Sequence, residues 1–144
     1  MLVERGHAVR GTTRTQARAP EIEAAGAEPY IADPDRVATL MPALDHAAVV
    51  CVLLGSASGT RQHIEALHGP RLEMLLGRMI DTTVRGVLYE TQGAVPTEVL
   101  AAGAERLKQS CVCSRIAYAL LEAPPEDHQA WLAAALAAVA RLVS

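Results

Sequence analysis

Glu90 follows the predicted strand 84–89, and a carboxylate at the carboxyl end of a parallel strand lies where open α/β sheets bind ligands. It is read as a group able to contact substrate. Gly55-Ser56-Ala57-Ser58-Gly59 follows an apolar run and precedes a helical pattern, the context of a phosphate loop. Its glycines are four apart, however, and no Gly-Lys-Ser/Thr follows, so it reads as an ordinary loop. Cys111 and Cys113 are two apart on a predicted helix and diverge in direction, which suits neither a zinc pair nor a Cys-x-x-Cys centre. They are read as buried or partly buried thiols. His63 and His68 are five apart, off the i, i+4 spacing that aims two imidazoles at one metal. Asp127-His128 opens the last predicted helix, where the aspartate complements the helix dipole rather than forming a catalytic pair.

The elements that must position these groups alternate along the chain. Strands are expected at 9–13, 28–32, 47–54, 84–89 and 116–121. Helices are expected at 16–25, 35–44, 60–67, 71–81, 96–110 and 126–142, with a break at Gly69-Pro70. Residues 1–7 read as the last turn of a helix capped by Gly6, and Gly26 caps the next one. The run 47–54 is apolar at all eight positions, which implies burial on both faces. The final helix should bury Trp131 or Leu132, together with Leu136, Val139 and Val143. Strand and helix in strict alternation specify a parallel sheet with right-handed crossovers, read as one doubly wound α/β domain over 1–144.

Composition narrows the functional classes. Of 144 residues 51% are hydrophobic, but only 3% are aromatic and none is Phe, so the core must be built from small aliphatic side chains. The net charge of −3 gives nucleic-acid binding no electrostatic support. No stretch approaches the roughly 20 apolar residues of a membrane span, and Glu4 and Arg5 interrupt the N-terminus too early for a signal sequence. Three cysteines cannot all pair within the chain. A soluble cytoplasmic protein is expected.

Glu4-Arg5-Gly6-His7-Ala8-Val9-Arg10-Gly11-Thr12-Thr13-Arg14 resembles the end of the first helix and the second strand of extended or atypical short-chain dehydrogenase/reductases. Gly26-Ala27-Glu28-Pro29-Tyr30-Ile31-Ala32-Asp33 resembles that superfamily's third strand and its aspartate, and residues 49–55 its fourth strand and small-residue turn. The resemblance implies a Rossmann-like doubly wound parallel sheet of about five strands, without the usual first strand and glycine-rich loop. That loop holds the pyrophosphate on helix N-terminal amides. The chain is therefore expected to be an N-terminally truncated domain. Should it truly start at Met1, its strands are expected to close up in the order 3-2-4-5-6 of the family's numbering, with weak cofactor affinity or none.

Site residues follow from the same resemblance. Arg14 would accommodate the 2′-phosphate of NADP, where an acidic residue would accept from the 2′-hydroxyl of NAD; Thr13 is its neighbour. Asp33 would contact the adenine amino group, although Asp before Pro is also ordinary turn and capping chemistry. Leu54 and Gly55 would line the cofactor ribose by backbone approach. The superfamily's Tyr-x-x-x-Lys pair is missing: Tyr30, Tyr89 and Tyr118 are followed four residues on by Pro34, Gly93 and Glu122. Lys108 has Ala104 where the tyrosine belongs, and Thr91 is left to supply a hydroxyl without a partner.

The expectation is thus an NAD(P)-binding protein related to epimerases, dehydratases and reductases, without their Tyr/Lys catalysis and with NADP favoured over NAD. Two alternatives stand beside it. One is a fragment of an active NADP-dependent oxidoreductase or epimerase; the other is a cofactor-free structural or interaction domain, with a homodimer through its helices.

Overall fold

The computed structural model describes residues 1–144, which divide into two compact units, Met1–Asp45 and His46–Ser144. Each is an α/β arrangement in which every strand pairs in parallel.

In the first unit β1 (Arg10–Thr13) pairs with β2 (Glu28–Ile31), with Thr13 opposite Ile31. A turn at residues 1–7 leads in. His7 N–H donates to Leu2 O at 3.1 Å and Gly6 N–H to Val3 O at 3.0 Å, the paired bonds of a Schellman cap, with Gly6 at φ 88°. The same pair of bonds recurs after α1 (Ala19–Ala24), from Ala27 to Ile22 and from Gly26 to Glu23, with Gly26 at φ 86°. Both glycines stop a helical turn and release the chain into a strand, as their spacing predicts.

Neither helix expected in this unit is continuous. A 3₁₀ turn (Gln16–Arg18) precedes α1, and another (Val37–Leu40) precedes α2 (Met41–Leu44). The cause is common to both. Pro20 and Pro42 lack the N–H that an α-helix interior needs, so each sits in a first turn and the ladder restarts just before it. Of the apolar residues spaced 3, 1 and 3 apart, Val37, Leu40 and Leu44 are nevertheless buried, while Met41 is half-buried.

The second unit holds the sheet β3-β4-β5, formed by Val49–Val52, Gly86–Glu90 and Ala117–Leu121. Around it run α3 (Arg61–His68), α4 (Pro70–Met79), α5 (Thr97–Ser114) and α6 (His128–Val143). The central strand is β4, and all five of its residues are buried. Its side chains alternate between layers. Tyr89 meets α5 at Gly103 and α3 at His68, while Gly86 meets Leu142 and Glu90 meets Trp131 on α6. Helices therefore cover both faces.

Burial on both faces belongs to β4, not to the run 47–54 as expected. That run is strand only at its centre, and it forms an edge on which Cys51 is exposed and Val49 and Val50 are half-buried. The five strands also do not close up into one sheet: β1 pairs only with β2, and β3 only with β4. On α6, Val139 is buried, Trp131, Leu132 and Leu136 are half-buried, and Val143 is 46% exposed, because it lies in the helix's last turn. Cys111 is buried on α5, whereas Cys113, two residues on and facing away, is exposed rather than partly buried.

Two glycines in α-helices predict opposite mutational effects. A Cβ at Gly103 would overlap the Tyr89 hydroxyl, whereas one at Gly77 meets nothing within 4 Å. Gly103→Ala is expected to lower unfolding free energy by about 1–3 kcal/mol through overpacking. Gly77→Ala should raise it by roughly 0.5–1 kcal/mol by stiffening the unfolded chain. Urea denaturation of both variants checks the pair, and equal signs would refute the packing assigned to α5.

Candidate functional site

Thr13, Arg14 and Asp33 lie together at the carboxyl edge of β1 and β2, because adjacent parallel strands deliver their ends to the same side. The strand pairing extends to Ala32 N–H on Thr13 O at 2.9 Å, so Arg14 falls in register with Ala32 and Asp33 follows one residue beyond. Arg14 is exposed. Thr13 closes a local turn, its Oγ1 donating to Thr15 O at 3.3 Å. Asp33 performs the turn chemistry that Asp-Pro invites. Its Oδ1 accepts from Asp35 N–H at 2.9 Å, and its N–H donates to Thr39 Oγ1 at 2.7 Å. Its Oδ2 stays outside this turn.

Leu54 and Gly55 lie in the second unit, after β3, and their backbone groups are committed. Leu54 O accepts from His68 Nε2 at 3.0 Å and from Ala57 N–H at 3.3 Å. Gly55 N–H donates to Glu90 Oε1 at 2.8 Å, and Gly55 O accepts from Val95 N–H at 2.9 Å. The Gly55 N–H is therefore not available to a ligand. Glycine is required at 55 for an internal reason: a Cβ there would overlap Gln92 O and stand 2.8 Å from Glu90 Oε1.

Glu90 is only 5% exposed, and its second oxygen accepts from Trp131 Nε1 at 2.7 Å. It faces inward rather than presenting a carboxylate to the strand edge. Burying a carboxylate costs several kcal/mol. Two N–H donors at about 1.5–3 kcal/mol each roughly offset that, so the gain is in orientation more than in stability.

On the opposite face His68 is 2% exposed and Tyr89 is fully buried, with Nδ1 and the hydroxyl 2.6 Å apart. The carbonyl of Leu54 can only accept, so Nε2 carries the proton, Nδ1 is the acceptor and the Tyr89 hydroxyl donates. Burial holds the imidazole below its ordinary value, against the opposing pull of the Leu54 carbonyl and the Glu90 charge. Burial also pushes the Tyr89 hydroxyl far above its ordinary value. This tyrosine is not poised for acid–base work. Thr91 likewise spends its hydroxyl on Leu121 O at 3.1 Å, and Lys108 is exposed on α5.

Beside the Gly55 turn lies a hollow of about 390 Å³ lined by Ser56 to Gly59, Arg61, Ile64 and Ala94 to Pro96. Its size falls in the range of small-molecule sites. It lies beyond the carboxyl ends of β3 and β4, over the buried cluster Ile64, Val95, Val99 and Leu100. Arg61 at its rim is engaged by Glu65 and by Glu98 at 3.1 Å. Sequence reasoning missed both this hollow and the His68–Tyr89 pair. A histidine and a tyrosine embedded in apolar runs are signals for buried polar partners, but 21 residues separate them and no spacing rule joins them.

No protein-family model matches the chain, and a search of curated proteins finds no significant match either. Among solved structures the chain is similar to the triphenylmethane reductase of Citrobacter sp. complexed with NADP(H), with a TM-score of 0.61 at 14% identity. The match covers 78% of this chain and 39% of the reductase chain. This likeness shows the fold: a Rossmann-like α/β architecture. No helix is long and apolar enough to cross a membrane.

The buried imidazole sets a pH dependence. Above 6.5, its ordinary value, His68 is neutral folded and unfolded. Below it the unfolded chain takes up a proton that the folded chain refuses, so stability falls as pH drops toward the lowered folded value. The slope approaches about 1.4 kcal/mol per pH unit within that window. Urea denaturation from pH 8 to pH 5 should show this decline in the wild type and a flatter profile in His68→Gln; parallel profiles would count against the assignment.

Proposed function

We propose that this chain is an NAD(P)-binding Rossmann-like protein, related to NAD-dependent epimerases, dehydratases and reductases, that works without their Tyr/Lys catalysis and prefers NADP. The observation that carries the reading is the shared edge of β1 and β2, where Arg14, which is exposed, and Asp33 each follow the strand ends. A guanidinium there suits the adenosine 2′-phosphate, and the Asp33 oxygen left outside its turn can accept from the adenine amino group. The fold likeness to a reductase complexed with NADP(H) supports a dinucleotide as the ligand class. The roles of Leu54 and Gly55 as contacts to the ribose rest on the sequence resemblance.

The absence of a catalytic pair follows from the residues. None of the three tyrosines has a lysine four positions on, and Tyr89 is sealed in the core with its proton held. Oxidoreductase chemistry would need parts of a longer protein, consistent with a match spanning 39% of the reductase.

A second reading, a cofactor-free interaction domain, is favoured by the internal commitment of the Gly55 amide and carbonyl. Titrating NADPH and NADH calorimetrically against this chain and against an upstream-extended version separates the two. The dinucleotide reading expects NADPH to bind more tightly than NADH. Arg14→Ala should weaken NADPH by on the order of tenfold or more, the worth of one charge-assisted bond, and leave NADH unchanged. Binding by neither form supports the interaction domain.

A further inference from the structure

The carbonyl of Leu54 and the N–H of Gly55 belong to one peptide group and point in opposite directions from it. Each is held by a buried ionisable side chain. His68, at the end of α3, takes the oxygen at 3.0 Å, and Glu90, at the end of β4, takes the N–H at 2.8 Å. The two grips come from opposite faces of the sheet, because His68 is bonded to Tyr89 and Glu90 is the next residue along the strand. Each grip is in turn fixed from behind, His68 by the Tyr89 hydroxyl at 2.6 Å and Glu90 by the Trp131 indole at 2.7 Å. A glycine peptide left alone rotates easily, having no Cβ to restrict it. This one cannot turn without placing its carbonyl against a carboxylate and its N–H against the protonated Nε2.

We propose that Glu90 and His68 are positioning residues that clamp the Leu54–Gly55 peptide plane and so hold the loop 54–60 in the form that receives the dinucleotide. The inference rests on the dinucleotide reading for its ligand, but the clamp itself has a readout without one. Glu90→Gln is the sharpest variant. Its side chain keeps one accepting oxygen and replaces the other with an amide NH₂, so one of two N–H groups, on Gly55 or on Trp131, faces a donor. The rest of the core is untouched.

Amide hydrogen exchange by NMR and NADP⁺ calorimetry, both on the full chain, decide the matter. In the ligand-free wild type the Gly55 amide should exchange as slowly as the amides of β4. In Glu90→Gln it should exchange at least about tenfold faster while the β4 amides keep their protection, and NADP⁺ should bind about tenfold more weakly. Glu90→Asp, which keeps the carboxylate on a shorter stem, should restore part of both. A wild-type Gly55 amide that exchanges without protection overturns the clamp, and that measurement stands even if Glu90→Gln does not fold. Unchanged NADP⁺ affinity in a folded Glu90→Gln overturns the positioning role. NADP⁺ uptake by neither the wild-type chain nor its upstream-extended version overturns the dinucleotide reading, and the Gly55 amide then decides the clamp alone.

Discussion

The second unit is organised by what its central strand does with two neighbouring side chains. Tyr89 and Glu90 must point to opposite faces of β4, and each is polar at its tip and buried along its length. A buried hydroxyl or carboxylate without a partner costs on the order of 1–3 kcal/mol or more, a large part of a domain's net stability. The fold can carry both only because a partner waits on each side, His68 on one and the Gly55 amide with the Trp131 indole on the other. Once those partners are fixed, the turn after β3 has no freedom left. Gly103, Gly55 and Gly93 then have their reason, since each marks a place where a side chain would displace part of this arrangement.

The alternation of strand and helix was legible because it is written locally. Gly6 and Gly26 announced two caps through the left-handed backbone they alone adopt cheaply, and Gly69-Pro70 announced the break between α3 and α4. Two expected helices lost their first turns to 3₁₀ geometry, and Pro20 and Pro42 were the legible signs of it. Burial was harder to read. The run 47–54 is apolar throughout and 84–89 carries Arg85, yet the first is a sheet edge and the second holds the sheet centre. The local signal points the wrong way, because which strand is central depends on how many strands pair and in what order.

The candidate site divides along the same line. Arg14 and Asp33 could be placed at one edge from sequence, since parallel neighbours end on the same side. That Asp33 ties its own turn was foreseen from Asp-Pro, and it does so through one carboxylate oxygen. Gly55 was read for its smallness toward a ligand. Its smallness is spent inward, against Gln92 and Glu90. The partner that explains it lies 35 residues away, a separation no motif spans.

Whether such a turn serves a ligand or only the core depends on where its cost is repaid. Two buried N–H contacts to Glu90 contribute about as much as its desolvation takes away, so the carboxylate adds little to net stability. An apolar side chain filling the same space would leave the Gly55 and Trp131 N–H groups without their acceptor, and it could not fix the direction of one peptide group. The turn so held borders the hollow at the carboxyl ends of β3 and β4, the end at which open α/β sheets bind ligands. Rigidity there spares a bound molecule the entropy of ordering the loop, and this matters most where, as at Gly55, the N–H is already committed within the fold.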